Sequence, residues 1–132
     1  MNWESYAMDL ARTAARKSKD PWVKVGACIL RHDNTVAALG YNGFPSKMAE
    51  DWSDRDERRR FVVHAEQNAL RHIKPDEARL IAVTLLPCND CLKSIASYGI
   101  PVIVYDQLYV PDSSTVELAA SFGIDLIQCN LS

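Results

Sequence analysis

The sequence predicts an α/β protein in which a five-stranded mixed sheet lies between helices, a three-layer α/β/α arrangement. Three observations predict it. Short apolar runs rich in β-branched residues alternate with stretches of helical periodicity, as in parallel strands joined by crossover helices. The first two runs are separated only by the turn signal Asp33-Asn34, so that pair reads as a hairpin and supplies the antiparallel part of a largely parallel sheet. The 132 residues show no repeat, linker or low-complexity segment, so residues 1–132 read as one compact domain with length enough for a core.

The elements follow in order. Trp3, Tyr6, Ala7, Leu10, Ala11 and Ala14 recur at helical spacing and predict an amphipathic helix ending near Lys17. Pro21 closes the next loop. Val23 to Leu30 is a nearly continuous apolar run and predicts a buried strand, and Thr35 to Tyr41 returns as a second. Asn42-Gly43-Phe44-Pro45 is a loop, and Lys47 to Arg60 mixes both charge signs as a solvated loop or short helix does. Val62 to Ile73 predicts a second helix before Pro75, and Leu80 to Leu85 a third strand. Cys88 to Tyr98 predicts a third helix with Cys88, Cys91, Leu92 and Ile95 on one face and Gly99 after its end. Pro101 to Tyr105 is a fourth strand. Ser114 and Glu117 have capping-box spacing, and Gly123 stands at the far end of that last helix. Ile124 to Gln128 is the fifth strand.

Composition narrows the function classes. Apolar residues make up 48% and charged residues 24%, the balance of a soluble globular chain rather than a disordered one. The net charge of −2 offers no strong positive field for a nucleic-acid backbone, so a small-molecule partner is expected and a polynucleotide is not. Met1 to Leu10 lacks the apolar run of a signal peptide, and no stretch approaches a membrane span. A cytoplasmic protein with no membrane partner is expected. Its four cysteines, Cys28, Cys88, Cys91 and Cys129, then read as ligands or thiols rather than disulfides. Cys28, inside a predicted buried strand, and Cys129, near the C-terminus, read as inert.

Two motifs carry chemistry: His64-Ala65-Glu66 and Pro87-Cys88-Asn89-Asp90-Cys91. Alone, each part has a plain explanation. A Cys-x-x-Cys can be a structural zinc knuckle or a redox pair, His64 a packed or capping histidine, and Glu66 an exposed helix residue. Together they form the His-x-Glu and Pro-Cys-x-x-Cys pattern of zinc deaminases. One histidine and two cysteines make three ligands of the kind zinc prefers and leave a fourth position open. Cys88 and Cys91, three residues apart in a first helical turn, point to one side, where free N–H groups stabilise thiolates. His64 and Glu66 would stand about 200° apart on an ideal helix, so they converge only on a pocket lying off the helix end. Two helix N-termini aimed at one metal would also offset the charge of two thiolates and a hydroxide. The expected chemistry is attack by a zinc-bound hydroxide, with Glu66 passing the proton to the ring nitrogen and then to the departing amine. One Zn2+ per chain is expected. A zinc-stabilised scaffold without chemistry is the non-enzyme alternative, and Glu66 argues against it because a structural site has no need of that residue.

The chain resembles the deoxycytidylate (dCMP) deaminase family of the cytidine deaminase superfamily. The resemblance is carried by Ser18-Lys19-Asp20-Pro21, Val25-Gly26-Ala27-Cys28-Ile29, Gly40-Tyr41-Asn42-Gly43-Phe44-Pro45, His64-Ala65-Glu66-Gln67-Asn68-Ala69 and Pro87-Cys88-Asn89-Asp90-Cys91. It implies the cytidine deaminase-like fold, hydrolysis of dCMP to dUMP and ammonia, and a homo-oligomer, hexamer or dimer. It implies that Asn42 holds the sugar, although Asn42 is also the turn-forming half of Asn-Gly, and that the Ala65 backbone N–H meets the cytosine carbonyl. Gly26 and Ala27 are small enough to floor a pocket. CMP, a modified dCMP and a free nucleoside are the alternative substrates. A monophosphate needs donors at the pocket mouth. Ser18 and Lys19, next to the family-like Asp20-Pro21, are candidates, and the resemblance suggests Tyr109. As plain alternatives, Lys19 is a solvated charge and Tyr109 surface packing. Regulated members of the family carry a longer insertion before His-Ala-Glu. Here Ser46 to Val63 is short and holds no Cys or His, so neither an accessory metal there nor a response to dCTP or dTTP is expected.

Overall fold

The computed structural model describes residues 1–108 and 113–129. Five strands form one sheet: β1 (Gly26–Arg31), β2 (Val36–Tyr41), β3 (Ala78–Leu85), β4 (Val102–Gln107) and β5 (Asp125–Gln128). Helices α1 (Trp3–Ala15), α2 (Ala65–Leu70), α3 (Asn89–Ser97) and α4 (Ser113–Ser121) complete the expected αββαβαβαβ order, with one 3-10 turn at Glu57–Arg60. The strand order is β2-β1-β3-β4-β5. β1 is antiparallel to both neighbours, while β3, β4 and β5 run parallel. The hairpin therefore inserts one reversed strand between β2 and β3, which α2 joins by a crossover.

The core divides by the two-residue period of β1. Ala27 and Ile29 face α2 and α3 along with Ala69, Leu92 and Ile95. Cys28 and Leu30 face α1 along with Ala7, Met8 and Ala11. Asn2 caps α1 by accepting from Ser5 N at 2.8 Å. Small residues on the inner face of α1 let it approach the sheet at Gly26, where a Cβ would stand 1.8 Å from Ala11 O. Gly40 does the same for α2: a Cβ there would lie 2.5 Å from Ala65 O and 2.6 Å from Ala69 N. These two glycines set how closely the flanking helices approach the sheet.

Three sequence expectations need correction. The first strand starts at Gly26, not Val23, because the Asn42 side chain takes Val25 N and Val23 O and so occupies what a neighbouring strand would pair with. The second helix is Ala65–Leu70 rather than Val62 to Ile73, since Val63 is held extended in an isolated bridge with Gly43. The last helix begins at Ser113, so Ser114 lies within its first turn instead of capping it.

Candidate active site

The Gly43–Val63 bridge brings the chain into α2 extended. Val63 N donates to Gly43 O at 2.8 Å and Gly43 N to Val63 O at 3.1 Å. His64 is consequently the N-cap of α2, with φ −67° and ψ 152°, and its side chain makes no capping bond. That extended backbone resolves the opposition expected of two helical residues: His64 and Glu66 both line one cavity. Cys88 is likewise the N-cap of α3, with φ −69° and ψ 167°. Leu86 N donates to Gln107 O at 2.9 Å, fixing the end of β3 from which Pro87 and Cys88 project. Gln67 Nε2 donates to Ser94 Oγ at 2.8 Å and ties α2 to α3 beside the site.

His64 Nδ1 lies 3.3 Å from Cys91 Sγ and 3.7 Å from Cys88 Sγ. All three potential ligand atoms fall within 4.8 Å of one another. Zinc–nitrogen and zinc–sulfur bonds of usual length at a tetrahedral angle put N and S about 3.6 Å apart. The triangle therefore fits one zinc, with His64 and Cys88 open to solvent and Cys91 buried beneath them. Hydrogen bonds from Cys91 and His64 pull the Cys88 thiol down to about 3, opposed by its partial burial. The hydrogen bond with Cys88, and then burial, push the Cys91 thiol up. The hydrogen bond to Cys88 raises His64, against its partial burial. Glu66, only 4% exposed, is raised chiefly by burial. The Ala65 N–H, at the first position of α2, has no acceptor within its own helix.

The cavity encloses about 700 Å³. A buried polar network also lines the cavity. Asn42 Oδ1 accepts from Val25 N at 2.8 Å, and Asn42 Nδ2 donates to Val23 O at 3.0 Å and to Asp20 Oδ2 at 3.3 Å. Asp20 Oδ1 accepts from Trp22 N and Val23 N at 2.8 and 3.2 Å. Ser18 Oγ donates to Asn42 O at 2.9 Å and accepts from Asp20 N at 3.2 Å. Arg58 Nε lies 3.4 Å from Asp20 Oδ2, and the guanidinium stacks 5.1 Å from the Trp22 ring centroid.

Most of the expected site residues meet here. His64, Ala65, Glu66, Cys88 and Asn42 line the cavity, and Cys91 backs it. Ser18 and Lys19 do not line it: Ser18 is spent inside the polar network, and Lys19 reaches out to Glu50 at 3.4 Å. Tyr109 lies outside the described residues. Gly26 and Ala27 do not floor the cavity, because Gly26 packs on the α1 backbone and Ala27 is core. Sequence reasoning missed Arg58 and Arg59, which line the cavity from within the charged stretch read as solvated. The available signal was Phe61, which with Phe44 and Trp52 folds that stretch back onto the body.

Residues 1–107 match the family described as the cytidine and deoxycytidylate deaminase zinc-binding region. The chain belongs to this family. A probable deoxycytidylate deaminase of Drosophila melanogaster is 36% identical over 121 residues, covering 80% of this chain and 59% of that protein. The deoxycytidylate deaminase of Homo sapiens is 33% identical over 127 residues, covering 87% and 71%. This chain thus spans roughly three fifths to seven tenths of the lengths of these two relatives. The apo crystal structure of the dCMP deaminase from cyanophage S-TIM5 superposes with a TM-score of 0.80 at 25% identity, covering 96% of each chain. The same phage enzyme in complex with dCMP and dUMP gives a TM-score of 0.75 at 25% identity, over 96% of this chain and 93% of that one. The five-stranded mixed sheet with its flanking helices is the cytidine deaminase-like fold. No described helix is long and apolar enough to cross a membrane.

Proposed function

We propose that this protein hydrolyses dCMP to dUMP and ammonia. The observation that carries the reading is the convergence of a His64–Cys88–Cys91 triangle and a buried Glu66 on one cavity. The family relationship and the phage enzyme's complex with dCMP and dUMP support it. Zinc held by His64, Cys88 and Cys91 would supply an acidified water.

The remaining steps belong to the chain. Burial makes the Glu66 carboxylate readier to hold a proton than an ordinary glutamate. That suits a group that must take a proton from water, deliver it to the ring nitrogen beside the amine-bearing carbon, and later protonate the amine as it leaves. The net change is one water consumed and one ammonia released. The free Ala65 N–H supplies a donor for the cytosine carbonyl. Asn42 has both amide hydrogens committed and one Oδ1 bond formed, so it can still accept a bond from a sugar hydroxyl. The exposed Leu39 and Tyr41 on edge strand β2 support assembly with further copies, which sedimentation at graded concentrations would read.

Purified zinc-loaded protein assayed on dCMP, CMP, deoxycytidine, dCTP and guanine tests the substrate. The highest kcat/KM is expected for dCMP, with ammonia equal to dUMP formed. A higher value for deoxycytidine or guanine would refute the monophosphate reading.

A further inference from the structure

The candidate metal ligands come from two separate helices, and something must hold those helices in register. His64 caps α2, a helix of only six residues that also carries Glu66, whereas Cys88 and Cys91 open α3. Outside the group formed by His64, Glu66 and the two cysteines, one hydrogen bond joins α2 to α3 among the described residues: Gln67 Nε2 donates to Ser94 Oγ at 2.8 Å. That bond is the first of three in line. Ser94 Oγ donates onward to the Asp90 carbonyl at 3.3 Å. The N–H of the same peptide, on Cys91, donates to Cys88 Sγ, with N and S 3.5 Å apart. Every donor points the same way, from Gln67 toward the Cys88 sulfur. Hydrogen bonds in such a chain polarise one another, so a carbonyl that accepts a bond makes its own peptide N–H a stronger donor. Gln67 and Ser94 are both partly buried, and neither lines the cavity, so contact with a substrate does not account for them.

We propose that Gln67 and Ser94 are positioning residues for the metal site: their hydrogen-bond chain fixes His64 relative to the two cysteines and supports the Cys88 sulfur as a ligand. The proposal rests on the reading of the His64–Cys88–Cys91 triangle as a zinc site. Partners one bond beyond the ligands orient them and tune the metal they hold. The two contacts of α2 then have separate tasks. Gly40 sets how closely α2 approaches the sheet, and the Gln67–Ser94 bond sets α2 against α3. Without the Gln67 amide the tie between the helices is lost. Without the Ser94 hydroxyl that tie goes too, and the Asp90–Cys91 peptide also loses the donor that polarises its N–H toward Cys88.

The test uses Gln67→Met, Ser94→Ala and the two combined. Zinc affinity is measured by competition with a chelator, and Tm on the metal-free protein. Each single variant should weaken zinc binding about 10–100-fold, the range for partners one bond beyond the ligands, with the metal-free Tm little changed. Ser94→Ala already breaks the bond that Gln67→Met removes, so the double variant should bind zinc no more weakly than Ser94→Ala alone. With Co2+ in place of zinc, the thiolate charge-transfer band should move to longer wavelength in Ser94→Ala, because a sulfur facing a weaker N–H donor gives up charge more readily. Unchanged zinc affinity in either single variant, losses that add in the double variant, or an unmoved cobalt band would overturn the proposal. A fall in metal-free Tm with zinc affinity intact would overturn it as well, leaving the pair as packing alone. If Ser94→Ala does not fold, Gln67→Met decides by its zinc affinity. Deamination of dCMP is assayed separately on zinc-saturated samples, so a protein that shows these metal effects but turns nothing over would sink the proposed reaction and leave this inference standing.

Discussion

The two polar walls of the cavity are built in opposite ways. The triangle of His64, Cys88 and Cys91, with Glu66, comes from two short motifs at the starts of α2 and α3. His64 and Cys88 are exposed and Cys91 is buried, with potential ligand atoms within 4.8 Å of one another. The other wall joins Asp20, Asn42 and Arg58, from two loops and the Glu57–Arg60 turn and backed by Ser18, and most of its hydrogen bonds are made within that network. One wall gathers residues able to hold a metal beside a buried carboxylate. The other spends its hydrogen bonds on shape and leaves a single donor over.

The sharpest contrast comes from removing a member of each wall. Cys91→Ala should abolish measurable deamination and reduce bound zinc from one per chain to near zero. The metal-linked stability lost with it is about 4 kcal/mol if metal stands 1,000-fold above its dissociation constant. Metal analysis with melts in zinc and in chelator would show this, and full metal retention would mean the ligand set is wrong. Asn42→Ala should keep its zinc and instead lose about 3 kcal/mol, from the orphaned Val25 N–H and Val23 carbonyl at about 1–3 kcal/mol each. Denaturant unfolding reads that difference, and a loss of zinc in this variant would erase the distinction between the walls.

Gly40→Ala probes how the first wall is positioned. The added methyl meets α2 backbone rather than a flexible side chain, so α2 must shift at a cost of about 1–3 kcal/mol. Because α2 carries Glu66 and follows His64, kcat should fall with stability; an active variant of unchanged Tm would show that the approach of α2 to β2 does not set the site. Smallest of all, Lys19→Ala should move stability by under about 0.5 kcal/mol and leave kcat/KM for dCMP unchanged. Its side chain is 71% exposed and pairs, among the described residues, with Glu50. A loss of more than tenfold on dCMP alone would bring Lys19 back to the phosphate.

The same contrast explains what could be read from the sequence. Ligands and carboxylate were legible because their chemistry needs particular residue types at fixed short spacings, and a helix start places them almost unaided. The strand and helix order was legible because apolar periodicity reports it directly. The second wall was legible only in part: the resemblance pointed to Asn42, and nothing pointed to Arg58. Asn42, Asp20 and Arg58 meet across separations that no local pattern records, and the charged run Lys47 to Arg60 reads as solvated until Phe61, Phe44 and Trp52 pack together. Helix ends failed for a related reason: Val62 and Val63 fit the helical spacing, but the bridge to Gly43 claims the backbone first.

In the proposed reaction, Glu66 carries the proton for deamination of a cytosine nucleotide in this cavity. Glu66→Gln tests it most directly, because the amide keeps the size of the side chain and removes only its ability to carry the proton. The variant should hold one zinc per chain and melt near the wild type, while its kcat on dCMP, followed by ammonia release, falls at least about 10²–10⁴-fold. A Glu66→Gln protein that keeps its zinc and releases ammonia at a rate near the wild type would contradict the account.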